Sequence, residues 1–189
     1  MPVKRPQRPD DEKLREMILY LADLSAEDCH FGAVKLNKLL FYADVLAYQR
    51  HGQAITGQEY QALAQGPAPR RLKPVMEKMK AAGEIRTREM RVGRFRQLRP
   101  VAGRMPNLSL FTKQEKDLIF EVVQRFRNFN ATQISDESHL FLGWKLANPN
   151  ETIPYGLVLI GNRKPTDAER RKGRALQKLA REALAGAHK

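Results

Sequence analysis

Ser135 and His139 stand four residues apart in ISDESHLFLGWKLA, a spacing that puts both on one face of a helix. A serine beside an imidazole is the start of a nucleophilic pair. Acyl transfer also needs an acid to orient the imidazole and donors for the oxyanion. Asp136 and Glu137 point elsewhere on a helix, and no GxSxG motif occurs. Ser138, His139 and Trp144 therefore read as structural, with the imidazole and the indole hydrogen-bonding buried backbone groups. Cys29 and His30 are adjacent but lack the second CxxC or HxxxH that would complete a zinc site. They read as a small buried thiol and a helix-connecting histidine. Gly66 is not followed by the GK[ST] of a phosphate-binding loop, and there is no GxGxxG. No catalytic residue, metal ligand or cofactor is assigned.

The other chemistry within reach is charge. The net charge is +13, and it is clustered: residues 70–104 hold 12 Lys/Arg against 3 Asp/Glu, and residues 163–189 hold 9 against 3. Such an excess suits an acidic partner, whether nucleic acid, an anionic surface or an acidic protein. The candidate contacts are Arg70, Arg71, Arg86, Arg88, Arg91, Arg94 and Arg96. A solvated basic surface that only aids solubility is the competing reading.

The elements that must carry these residues follow from periodicity. Residues 1–10, rich in proline and basic residues, read as a disordered arm. Asp10 and Asp11 offer an N-cap for a helix over 11–24, with Leu14, Met17, Ile18 and Leu21 on its inner face. Residues 33–50 are apolar around most of a helix, which marks a central, buried one, and Gly52 is placed to end it. Tyr60–Ala64 suits a short strand or a helical turn between Gly57 and Gly66. Residues 67–82 suit a helix that starts near Arg71 or Leu72, so that Pro74 falls in its first turn. Residues 84–90 and 94–99 read as a β-hairpin about Val92-Gly93.

Thr112 to Glu115 is a capping box opening a helix to about residue 128. A shorter helical pair covers 131–147, and 154–160 is a short extended run. A second capping box at Thr166 to Glu169 opens a basic final helix over 163–189. The fold class is mainly α with a small β-hairpin (α+β). The order helix, break, helix, arginine hairpin resembles a winged helix, with 70–82 in a groove of DNA and the hairpin on phosphates.

Composition bounds the rest. At 42% hydrophobic residues the chain is not disordered throughout, and at 189 residues it suits one domain, here 11–162, with appended ends. No run approaches the ~20 apolar residues of a membrane span. One cysteine and no apolar leader point to the cytoplasm.

Three blocks stand out together: KLNKLLFYADVLAYQRHGQAITGQEYQALAQGPAP at 35–69, ISDESHLFLGWKLA at 134–147, and IPY at 153–155. In this order they resemble the Panacea domain family, the SocA-like antitoxins of prokaryotes and their phages. The first block is similar to that family's K-L-x-K-L-L-Y/F-Y-A helix, followed by I-T-G, an aromatic and G-P. The second is similar to its S-x-x-S/T-H-x(4)-W signature. Asn37 stands where glutamine is common and Ala68 where many members have valine. The resemblance implies a mainly helical domain with a small β element. It also implies an antitoxin that neutralises a cognate toxin by direct contact or, in one subgroup, escorts it to a protease. Signature positions carried over are Lys35, Lys38, Tyr42, Tyr60, Gly66, Pro67, His139, Trp144 and Tyr155, expected to define the fold. The basic arm, the arginine-dense hairpin and the basic final helix are less typical of the family, and the partner-setting contacts are expected there.

Overall fold

Local capping chemistry starts three of the α-helices. In the computed structural model, which describes residues 7–93, 95–159 and Arg171, α1 spans Asp11–Leu24 and Asp10 accepts a hydrogen bond from the Lys13 N–H. The second helix, α2, spans Ala33–His51 and ends at Gly52, whose φ of +69° lets its N–H turn back to the Tyr48 carbonyl at 2.8 Å. Next come strands β1, Tyr60–Leu63, and β2, Gly66–Pro69, then helix α3, Leu72–Ala81. This helix starts at Leu72, as expected, with Pro74 in its first turn, and the stretch before it over 67–69 is extended. Pro67 and Pro69 lack N–H groups and hold their neighbours extended, so this stretch forms an edge strand instead.

The β-hairpin is longer than expected: β3, Ile85–Val92, pairs antiparallel with β4, Phe95–Ala102. Thr112 and Glu115 form the capping box of α4, Lys113–Phe126. Asn130 and Gln133 form a second one at α5, Ala131–His139, and α6 follows at Leu142–Leu146. Strand β5, Thr152–Ile153, adds to β1, giving a sheet in the order β2-β1-β5. The extended run expected over 154–160 is instead a 3-10 turn at Tyr155–Leu159.

The central position of α2 is as its composition predicts. Leu36, Leu39, Leu40 and Ala43 are buried against Leu14, Met17, Ile18 and Leu21 of α1 and Leu118, Ile119, Val122 and Phe126 of α4. Strand β2, α5 and the end of β4 close around the same helix. Of the arm over residues 1–10, Gln7 exchanges two 3.0 Å hydrogen bonds with Ala54 and the Asp10 N–H reaches the Thr56 carbonyl. Residues 1–6 and the basic final helix lie outside the described residues, Arg171 apart.

Candidate functional site

Helix α2 turns three charges inward. Lys35 is 1% exposed, and its ammonium uses all three protons: Asp28 at 2.6 Å, the Arg127 carbonyl at 2.9 Å and the Phe129 carbonyl at 2.8 Å. The lysine thereby ties the start of α2 to the corner between α4 and α5. One turn on, Lys38 is buried with a single hydrogen bond, to the Pro67 carbonyl at 3.0 Å. Burial pushes its ammonium down to about 8. Gly66 allows this approach. Its φ is +96°, and a Cβ there would collide with Ser138 Oγ and lie 2.9 Å from Lys38 Nζ.

Asp44 is fully buried and collects donors from three segments. The Thr56 N–H donates at 2.7 Å, the Thr56 hydroxyl also donates, and the Tyr60 and Tyr155 hydroxyls lie at 2.9 and 3.3 Å. The Tyr155 hydroxyl is closer to the Gln58 carbonyl, at 2.7 Å. Burial raises the Asp44 carboxyl above the usual range, opposed by these hydrogen bonds, and burial also raises both phenols. Tyr42 packs on Phe126 with ring centroids 4.5 Å apart.

Trp144 behaves as expected from the sequence, its indole N–H donating to the Leu63 carbonyl at 2.9 Å. His139 does not: its ring stacks on Trp144 at 4.0 Å, and its buried Nε2 has no hydrogen-bond partner among the described residues. Ser138 Oγ donates to the Ser135 carbonyl at 2.7 Å, so the serines are engaged within their own helix. Cys29 is exposed rather than buried, because it sits on the outside of the α1–α2 turn. Among the described residues no group of histidine, cysteine, aspartate and glutamate is arranged to hold a metal ion, and no helix is long and apolar enough to cross a membrane.

The arginines divide into three sets. Arg70 and Arg71 brace the fold: Arg70 donates to the Asn150 carbonyl at 2.6 Å and to Thr152 at 3.1 Å, and Arg71 Nε lies 2.7 Å from Asp11. On the β3–β4 ribbon, residues directly opposite share a face. The register Arg88↔Arg99 and Arg91↔Arg96 puts Arg86 and Arg88 on one face and Arg91 and Arg96 on the other. Arg96 is paired to Glu89 at 2.5 and 2.7 Å. Arg86, Arg88 and Arg91 are exposed and make no ion pair among the described residues, and Arg94 lies outside them.

The sequence reading missed two anchors of this ribbon and the acid at the domain's centre. Arg99, 8% exposed, donates to the carbonyls of Asp28, Ser25 and Ala26 at 2.7, 2.8 and 2.5 Å. Arg104 joins Glu16 at 2.9 Å and Glu84 at 3.0 Å, where Arg15 Nε also meets Glu84 at 2.6 Å. A legible signal for Asp44 was an acid standing inside the apolar run FYADVLAY.

The signature positions thus converge on α2, with Lys38, Gly66 and Pro67 in one contact and Tyr60 and Tyr155 in another. The profile of the family described as "Antitoxin SocA-like, Panacea domain" matches residues 36–145. That span takes in every signature position but Lys35 and Tyr155, together with the whole arginine ribbon. No curated protein and no solved structure matches the chain. A profile match over more than half of the chain places this protein in the SocA-like antitoxin family of Panacea domains.

Proposed function

We propose that this chain is an antitoxin-type protein that silences a cognate toxin by direct protein contact. The observation that carries the reading is the family match at residues 36–145. A second fact supports it. The polar side chains of Lys35, Lys38, Tyr60 and Trp144 are engaged inside the fold, which favours work done at the surface. Delivery of the toxin to a protease is the other route to the same outcome. The exposed single thiol suits a reducing cytoplasm. Co-expression with the toxin encoded beside it is the test: growth returns and the two proteins co-purify. Rescue with falling toxin levels and no stable complex selects the protease route. Neither rescue nor complex sinks the proposal.

The exposed Arg86 and Arg88 favour a second reading, a nucleic-acid-binding regulator of its own operon. If six to ten phosphates are contacted, affinity for promoter DNA falls by about 10³–10⁵ between 50 and 200 mM salt. A gel shift unchanged by Arg86→Ala with Arg88→Ala removes this reading.

A further inference from the structure

An open groove of about 410 Å³ runs between α2, α3, the β1–β2 hairpin and one face of the β3–β4 ribbon. Its floor is apolar: Leu36, Leu63, Leu72, Met76, Leu98 and Pro100. Leu98 is 53% exposed, a large apolar side chain left facing water on a strand arm. The groove's charged lining is mostly cationic: Arg70, Lys73 and Lys80 against Glu77, with Lys80 3.2 Å from Glu77 and Arg70 3.9 Å from Glu59 beside the groove. Lys73 makes no ion pair among the described residues. None of the signature side chains lines this groove, so the packing that defines the fold leaves it open.

We propose that this groove docks an acidic segment of the partner protein, seated by apolar side chains on the Leu98–Met76 floor and held by a carboxylate against Lys73. This rests on the reading that the chain works by binding a protein, and it names the chemistry of the contact. Apolar anchors in a concave floor with a charged rim are the pattern of protein recognition. Nucleic acid fits less well, because phosphates have no use for the apolar floor and Arg86 and Arg88 lie on the ribbon's other face. The chain's own residues 163–189 fit less well too, since they carry 9 Lys/Arg against 3 Asp/Glu and would bring like charge to the rim.

The test needs no toxin. A random peptide library displayed on phage is selected on the full-length chain, and the enriched peptides are titrated against variants. The expected pool is rich in Asp and Glu beside Leu, Ile and Phe. Leu98→Asp and Lys73→Glu, both exposed and on different elements, each weaken binding by about tenfold or more with melting temperature unchanged. Arg86→Ala with Arg88→Ala leaves binding intact. No enrichment, as when residues 163–189 fill the groove, overturns the proposal. So does a pool without acidic bias, or binding indifferent to Leu98→Asp and Lys73→Glu. Growth rescue is read separately: acidic peptides bound by a chain that rescues nothing would sink the antitoxin reading and leave the groove standing.

Discussion

Lys38 carries its charge into the protein interior with one carbonyl to receive it. Its ammonium is depressed from 10.5 to about 8, which corresponds to a cost of roughly 3 kcal/mol for holding the charged form at neutral pH. The sign follows from linkage. Between pH 8 and 10.5 the unfolded chain binds a proton that the folded chain has released, so this group makes the fold more stable as pH rises through that window. Tyr60 and Tyr155, raised by burial, act in the opposite sense from about pH 10 upward. Urea unfolding at pH 7 to 9.5 should therefore show a rise for the wild-type chain that Lys38→Met lacks. Equal pH slopes in the two proteins would mean that Lys38 is solvated. At neutral pH the substitution removes the charge cost but leaves the Pro67 carbonyl without its donor, so the net change there is smaller than the slope.

The β3–β4 ribbon depends on arginines more than on a core, since residues 86–89 are exposed on both of its faces. Arg99 fixes it to three carbonyls of the α1–α2 turn. Arg99→Ala should cost about 2–3 kcal/mol and raise amide exchange across 85–102 first, because three charge-assisted hydrogen bonds to the α1–α2 turn are lost. Exchange rising only with global unfolding would show that the ribbon has no independent opening. At its base, the Arg104 guanidinium holds the Glu16 carboxyl below its ordinary 4.5, and Arg15 does the same for Glu84. Both folded values are depressed. The stability they contribute is therefore present above pH 4.5 and lost as pH falls below it. Ribbon amides should lose protection on acidification before those of α2 do.

These elements differ in how far their sequence announced them. Local chemistry was readable: Thr112 with Glu115, Asp10, Gly52 and the apolar run of α2 each marked a boundary or a core face correctly. Pairing was not. Pro67 to Pro69 becomes a strand only because β1 lies beside it, and Tyr155–Leu159 is a 3-10 turn where Tyr155 reaches back to Gln58 and Asp44. The arginines were visible as a cluster. Their division between two faces required the register, and the bracing roles of Arg70 and Arg71 required Asn150 and Asp11, which are distant in sequence.

At the scale of the whole molecule, the described residues up to Leu159 form one compact unit in which α2 is completed by segments from both ends. A chain ending at Leu159 should keep the melting temperature of the full protein to within a few degrees. One ending at Asn150 loses β5 and Tyr155, and with them a donor to Asp44 and an edge of the β1 sheet. We expect it to melt lower by about 4–12 °C, as the loss of about 2–3 kcal/mol from a domain of this size would produce. Equal melting of both shortened chains in a calorimeter would show that the last strand is an ornament of the fold.

The charges buried along α2 also matter before there is any fold. In the newly made chain Asp28, Thr56, the Pro67 carbonyl and Tyr155 are not yet assembled, and residues 36–47 are a long, largely apolar stretch. Lys35, Lys38 and Asp44 then stand in water, where they act as gatekeepers against self-association of that stretch. They can leave water only when every distant partner has arrived, so partly closed states gain little and the final step is steep. Buried charge that is costly in the finished protein, as at Lys38, thus keeps the central helix dispersed until the rest of the chain is ready to enclose it.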